Sequence, residues 1–209
     1  MRKKIMMKKI AILLAAASAL SASATIYAQE SPWLLRARVV NIDPTNQSSP
    51  VGGVGASDTI SISSKSIPEF DISYFVTPNW AAELILTYPQ SHDVYLSGSN
   101  IGSFKELPPT LLAQYHFMPT ATVSPYIGAG LNYTRISNVS LLNGAGTLDA
   151  HSFGPALQVG LDYKINNHWL VNFDLKKVQM RSNVYVSGAQ VSTLHIDPLL
   201  FGLGVGYRF

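Results

Sequence analysis

The chain's 209 residues suffice for one domain with a sizeable core or for one small barrel. The absence of cysteine excludes a disulfide framework, a thiolate metal site and a lipid-modified cysteine behind a leader. The formal charge of +3 gives no reason to expect a nucleic-acid partner. The first 28 residues hold five of the 15 Lys and Arg and none of the 12 acidic residues, leaving 10 against 12 in the remainder.

Those first residues read as an export signal. Arg2, Lys3, Lys4, Lys8 and Lys9 precede an apolar run over 10–20, then small residues ending Ile26-Tyr27-Ala28. The run is too short to span a bilayer as a helix, and basic, apolar, then small is the layout of a secretory signal peptide. Cleavage is expected after Ala28, with Ala24, closing Ala22-Ser23-Ala24, as the alternative. The expected organisation is a signal peptide over 1–28 and one domain over 29–209.

From residue 33 onward the chain alternates with period two, the signature of strands with one apolar face. Trp33, Leu35, Ala37 and Val39 share one face, and Arg36 and Arg38 the other. Residues 41–58 read as a long loop. A second strand over 60–76 turns Phe70, Ile72, Tyr74 and Val76 outward and ends in the turn tripeptide Thr77-Pro78-Asn79. The third strand, 80–88, sets Ala82, Leu84, Leu86 and Tyr88 outward against Ala81, Glu83, Ile85 and Thr87 inward. A polar loop is expected over 89–104.

The fourth strand, 107–117, has Thr110, Leu112, Gln114 and His116 inward. A short connection through Pro119 and Pro125 leads to the fifth, 126–137, where Gly128, Gly130, Asn132 and Thr134 face inward. A third long loop is expected over 138–150. The sixth strand, 152–164, puts Gly154, Gln158, Gly160 and Asp162 inside. The seventh starts at Trp169, with Leu170, Asn172, Asp174 and Lys176 inside, and the last outer loop is placed at 187–192. The final stretch, 201–209, alternates apolar or aromatic residues with glycines and one arginine. Such a strand left as a soluble edge is an aggregation hazard, whereas in a membrane barrel it is the closing strand.

Short and long connections alternate, as in bacterial outer-membrane barrels. Aromatic pairs mark the short-turn end: Phe75 and Trp80, Phe117 and Tyr126, Tyr163 and Trp169, with Trp33 and Phe209 at the termini. Tyr88, Tyr133 and Phe153 are placed in the opposite girdle. The fold class expected is all-β: an eight-stranded antiparallel transmembrane β-barrel with short periplasmic turns and long extracellular loops. A lipocalin would reverse the polarity of the fifth and sixth strands, apolar inside and polar outside.

Several stretches resemble the OmpW family: Leu107-Pro108-Pro109-Thr110-Leu111, the run from Pro125 to Thr134 (Pro-Tyr-Ile-Gly-Ala-Gly-Leu-Asn-Tyr-Thr), Gln158-Val159-Gly160-Leu161-Asp162-Tyr163, Trp169-Leu170-Val171-Asn172 and Gly206-Tyr207-Arg208-Phe209. They cover most of the chain from the third strand onward; the first strand and the outer loops match poorly. The resemblance implies an outer-membrane barrel with a narrow, largely apolar channel, implicated in uptake of small hydrophobic molecules, with alkane-uptake proteins among its relatives. It implies a passive conduit with outer-membrane lipid and lipopolysaccharide, the barrel-assembly machinery and small hydrophobic solutes as partners. It calls for no enzyme activity and no cofactor. Gly204, Tyr207 and Phe209 resemble the carboxy-terminal signal read during barrel assembly.

Glu83, Ile85, Leu112, Gln158, Asp174 and Lys176 are the expected channel-lining residues. The family resemblance places a channel-narrowing aromatic of some members at the Lys176 position, where a lysine paired with Glu83 or Asp174 gives a more polar constriction. Pro89 closes the third strand, and Pro108 and Pro109 open the fourth. Proline donates no ladder hydrogen bond, so a lateral opening is expected there, the alternative being that these prolines only end the strands above the membrane.

An enzyme reading finds little support: His92, His116, His151, His168 and His195 show no metal-ligand spacing, and no Gly-x-Ser-x-Gly occurs. Arg36, Arg38, Glu83, Asp162, Asp174, Lys176 and Arg208 are expected to interlock as salt bridges. The lumen glycines either leave room for a solute or relieve crowding. A second functional class stays open: a plugged barrel whose outer loops receive host molecules, phage or bacteriocins.

Overall fold

A computed structural model describes residues 31–209, so the expected signal peptide and its cleavage point lie outside the described residues. Eight strands form the wall: β1 (Trp33–Asp43), β2 (Lys65–Phe75), β3 (Trp80–Leu86), β4 (Thr110–His116), β5 (Val123–Leu141), β6 (His151–Lys164), β7 (Trp169–Val178) and β8 (Leu199–Arg208). Each pairs antiparallel with the next, and β8 closes on β1 from Leu34–Arg208 to Asp43–Leu199. The closing strand thus has no free edge, which disposes of the hazard its composition would otherwise carry.

The strands form because side chains alternate between two different environments. Along β1 every outward residue is exposed and every inward one buried. The exposed face is apolar: Phe70 is 59% exposed, Leu157 61% and Phe153 67%. Such a face is stable only in contact with lipid. Aromatic rings ring the short-turn end, with Trp33 against Tyr74 at 4.8 Å, Trp80 against Tyr115 at 5.1 Å and Trp169 against Tyr207 at 5.0 Å. Two aromatics expected among the markers of that end point into the lumen instead. Phe75 and Tyr126 are buried, because they stand in phase with the inward residues Ser73 and Gly128.

Above the membrane the wall continues. The stretch expected as a polar loop over 89–104 is a hairpin, Gln90–Leu96 with Ser99–Leu107, turned at Ser97-Gly98. Arg181–Val186 and Ala189–His195 form a second hairpin, turned at Ser187-Gly188 in place of the loop at 187–192. Both central pairs have positive φ (47° and 83°, 50° and 83°), as a two-residue turn between right-twisted strands requires. The second strand proves to be two pieces, Ile60–Ile62 and β2, with Ile60–Ile62 pairing the first hairpin. Strand β5 runs on to Leu141, and Gly146–Leu148 pairs the second hairpin, so 138–150 is largely structured. Within 41–58, β1 persists to Asp43 and Gln47–Ser48 adds two more residues of strand.

In this outer zone the alternation inverts. On β5 the outward face passes from Tyr133 to Arg135 while the inward face passes from Thr134 to Ile136. Inward side chains Ile60, Ile62, Val94, Phe104, Ile136, Leu141, Met180, Val184, Leu194 and Ile196 pack into one apolar core.

Candidate functional site

The lumen is layered, and β1 and β7 each cross the three layers below the outer core. From the short-turn end β1 presents Leu34, Arg36, Arg38, Val40 and Ile42 inward; β7 presents Leu170, Asn172, Asp174, Lys176 and Val178. Leu34, Phe75, Ala81 and Leu170 form an apolar floor. A charged layer lies above it. Above that come Val40, Ile42, Ile67, Ile85, Leu112, Ala156, Val178 and Leu200, and then the outer core.

The charged layer is a closed network. Arg36 donates to Asp162 at 2.7 Å, to Asp71 at 3.1 Å and to the Ser73 hydroxyl at 2.9 Å. Arg38 donates to Asn172 at 2.7 Å, Glu69 at 2.9 Å and Glu83 at 2.8 Å, and sits 2.9 Å from a second Asp71 oxygen. Lys176 reaches Glu69 at 2.9 Å and also Asp174. Gln158 donates to Glu83 at 2.8 Å and Asp174 at 2.6 Å. Buried charges persist where several partners share each one, which is the case throughout this layer.

The lysine therefore bonds Asp174, one of its two expected partners, and Glu69 instead of Glu83. Glu69 and Asp71 were not among the sequence-derived lumen charges, although the alternation of β2 with outward Phe70 and Ile72 places them inside. Arg208 stands at the short-turn mouth, where its guanidinium lies 4.1 Å over the Phe75 ring and donates to the Ser31 carbonyl.

Tyr126 binds the network together. Its hydroxyl donates to Asp174 at 2.9 Å and accepts from Asn172 at 3.0 Å, while Arg36 stands 5.5 Å from the ring centre. The ring lies across Gly160, where a Cβ would stand 2.2 Å from it. A Cβ on Gly128 would likewise meet the Gln158 carboxamide oxygen at 2.6 Å, and one on Gly204 the Arg38 side chain at 2.8 Å. Glycine makes room here for large polar side chains, and the room is filled.

Ile85 and Leu112 sit one layer up, among apolar side chains, where Ile85 faces a cavity. Glu83, Gln158, Asp174 and Lys176 lie within the network, so the six expected channel-lining residues divide between two chemically different layers. The cavity, of about 30 Å3, is lined by Ile42, Ile67, Ile85 and Leu200 along with Glu69, Glu106 and Lys176. A second cavity, of about 20 Å3, lies at the short-turn mouth beneath the network and is lined by Phe75, His116 and Asp162. Benzene needs an apolar cavity of about 150 Å3. A solute crossing this lumen must displace side chains or wall.

The three expected breach prolines come together in space. The β3–β4 ladder ends at Ile85–Thr110, and pairing resumes only at Gln90–Glu106. Between them lie 86–89 on one side and 107–109 on the other. The Pro108 and Pro109 carbonyls are met from the lumen by the Asn132 carboxamide at 3.3 and 3.4 Å, the Pro68 carbonyl by the Thr87 hydroxyl at 3.2 Å and the Tyr88 carbonyl by Gln90 at 2.8 Å. Asn132 reaches in from β5, Thr87 turns to β2 and Gln90 bonds within its own strand, so these bonds run beside the gap and not across it; the Pro109 carbonyl also accepts the Tyr133 backbone N–H at 3.1 Å. Pairing resumes above, so 86–89 and 107–109 lie within a wall that continues. The 30 Å3 cavity backs onto this breach, sharing Ile85, Thr87, Pro108, Thr110 and Asn132 with its margins.

His92, expected at a loop edge, is buried on the first outer hairpin. Its ring stacks on Phe104 and its Nε2 stands 3.3 Å from Glu106. Burial opposes its charge, but Glu106 and the Ser63 carbonyl outweigh burial and raise its pKa above the usual value. At the other end, Gly204 pairs with Arg38 and Asn172, and Tyr207 meets Trp169 and Phe209 edge to face at 5.0 and 5.1 Å.

Known proteins share this architecture. The crystal structure of the outer membrane protein OprG from Pseudomonas aeruginosa superposes with a TM-score of 0.76 at 26% identity, covering 87% of this chain and 97% of that one. The outer-membrane protein y4mB of Sinorhizobium fredii is 45% identical, over 86% of this chain and 80% of that protein. The dibenzothiophene metabolism operon protein PahQ of Pseudomonas aeruginosa is 30% identical, over 88% and 91% of the two chains. The OmpW family model matches residues 29–209. With its lipid-facing wall, closed eight-strand ladder and these relatives, the chain is an outer-membrane β-barrel belonging to the OmpW family.

Proposed function

We propose that this barrel conducts small hydrophobic molecules inward from the cell surface and releases them sideways into the bilayer through the breach beside Pro89, Pro108 and Pro109. One observation carries the reading: the cavity above the charged network is walled on one side by the stretch that lacks ladder hydrogen bonds. An apolar solute gains nothing from entering a layer of buried, mutually satisfied charges, and breaking that layer leaves carboxylates unpaired. The cheaper path from the apolar layers runs outward through the wall, where the ladder is already interrupted. Apolar solutes cross the lipopolysaccharide leaflet poorly, so a protein path around it has a use. PahQ, by name a product of a dibenzothiophene metabolism operon, supports an apolar solute.

In this reading the chain is a passive conduit and not an enzyme. Ile85 and Leu112 line the upper path, while Glu83, Gln158, Asp174 and Lys176 form its floor. Gly204, Tyr207 and Phe209 serve the assembly machinery. The leader over 1–28 directs export. The filled lumen favours one other reading, a plugged barrel whose outer hairpins act as a receptor for host molecules, phage or bacteriocins.

Uptake of a fluorescent apolar probe by proteoliposomes separates the two, read beside planar-bilayer conductance. Wild-type protein should transfer the probe to the membrane while showing little ion conductance. The double variant Pro108→Thr, Pro109→Val restores two donors to the wall and should cut transfer by about tenfold, the worth of one or two hydrogen bonds added to the closed state. Transfer that persists unchanged in the variant would refute the lateral path. No transfer at all in the wild type would favour the receptor.

A further inference from the structure

The cavity behind the breach is apolar over most of its wall, yet one buried carboxylate lines it with unused bonding capacity. Glu106 is 3% exposed, and its Oε2 has no hydrogen-bond partner among the described residues. Directly across the hairpin stands Gln90, fully buried, whose Oε1 is likewise unpartnered. Both open atoms are acceptors. A buried acceptor left unmet costs about 1–3 kcal/mol, so this end of the cavity favours a molecule that brings a donor. Ile42, Ile67, Val178, Met180, Pro198 and Leu200 give the lining its apolar part, while Glu69, Thr110, Asn132 and Lys176, which also line it, already have partners of their own.

The donor is a neutral one. Lys176 lines the same cavity and already supplies a positive charge there, and the His92 ring stands 3.3 Å from the other Glu106 oxygen. A second ammonium would meet repulsion, while a hydroxyl would not. We propose that the cavity behind the breach, enlarged as the breach margins part, takes small apolar molecules carrying one hydroxyl, phenols or alcohols, with the hydroxyl donated to Glu106 Oε2 while the apolar body lies against the isoleucines and Leu200. This rests on the conduit reading and adds a headgroup preference to it: Glu106 delays and selects hydroxylated solutes at the point of lateral exit.

Paired probes test it. Wild-type protein in lipid nanodiscs is titrated with 4-fluorophenol and with fluorobenzene, read by 19F NMR against protein-free nanodiscs. Correction for partition into lipid leaves binding to protein alone. The phenol should bind about tenfold or more tightly than fluorobenzene, the scale of one hydrogen bond to a carboxylate. In Glu106→Leu that ratio should fall toward one; if that variant fails to fold, Glu106→Gln, which keeps the shape and removes the charge, should lower it in part. A ratio near one in the wild type overturns the headgroup site while leaving the conduit intact, and means that a water satisfies Glu106. If neither probe binds, the conduit reading fails and takes this one with it.

Discussion

The membrane half and the outer half of this barrel are built by the same strands under opposite rules. In the membrane, β1 shows Leu35, Ala37 and Val39 to lipid and turns Arg36 and Arg38 inward. Above it, the first hairpin shows Ser91 and Asp93 to water and turns Val94 and Phe104 inward. The period of two carries on apart from bulges such as that at Val94-Tyr95, while the solvent outside changes and the interior takes the opposite polarity. The lower half is held by bonds among buried charges and the upper half by apolar burial. The outer face changes near Pro89 and Pro108, where the ladder is also interrupted, and the interior has already turned apolar one layer below, at Val40 and Ile85. A solute that prefers apolar surroundings thus finds them above the charged layer and, across the gap, in the lipid outside.

Arg38→Ala should break the lower half hardest. It strips a shared cation from Glu69, Asp71 and Glu83, and losing one partner of a buried pair costs about 3–5 kcal/mol. Urea unfolding in detergent micelles reads the loss. Replacing Arg38, Glu69 and Glu83 together by Met, Leu and Leu should recover most of it, since apolar packing of similar volume often matches a buried ion cluster. A triple variant no more stable than the single one would mean that the charges hold the fold in a way packing cannot. Gly160→Ala ranks next. Its methyl would displace the Tyr126 ring and its bond to Asp174, an overpacking cost of about 1–3 kcal/mol. An unshifted unfolding midpoint would show that the ring is not held across Gly160.

Phe104→Ala tests the upper half and should act locally. The outer hairpins stand on their own apolar core, so its loss should speed amide exchange across 90–107 and 136–141 while leaving the membrane strands protected. Exchange rising equally through β1 and β8 would make the two halves one cooperative unit.

The unequal legibility of the two halves has the same physical origin. An apolar-outward alternation marks a lipid-facing strand, and it located β1 to β8 with their inward residues, from Arg36 to Lys176. The outer strands carry the inverted alternation, so Ser91 and Asp93 on the outward face of the first hairpin gave it the composition of a loop. A signal was available. Val94-Tyr95-Leu96-Ser97-Gly98-Ser99-Asn100 and Val184-Tyr185-Val186-Ser187-Gly188-Ala189-Gln190 repeat one pattern, and both prove to be hairpins bulged at the Val-Tyr step. Tyr126 was placed in the girdle because an aromatic near a short turn suggests an interface; its phase with Gly128 and the facing Gly160 shows that it belongs inside. The ion pairs themselves were beyond sequence, since strand stagger decides whether Lys176 meets Glu69 or Glu83.

The smallest expected effect is a pH dependence confined to the upper half. The pKa of His92 is raised above the usual 6.5 because Glu106 and the Ser63 carbonyl favour its protonated form more than burial and nearby Lys65 oppose it. A group whose pKa is higher folded than unfolded adds stability below the unfolded value and loses it as pH rises through the folded one. Amide protection of the first hairpin should therefore be greatest below pH 6.5 and decline as His92 deprotonates, while the membrane strands stay unaffected. His92→Gln should flatten the profile. Protection that instead increases with pH, after correction for intrinsic exchange, would mean that His92 is neutral throughout and that Glu106 draws its compensation from elsewhere.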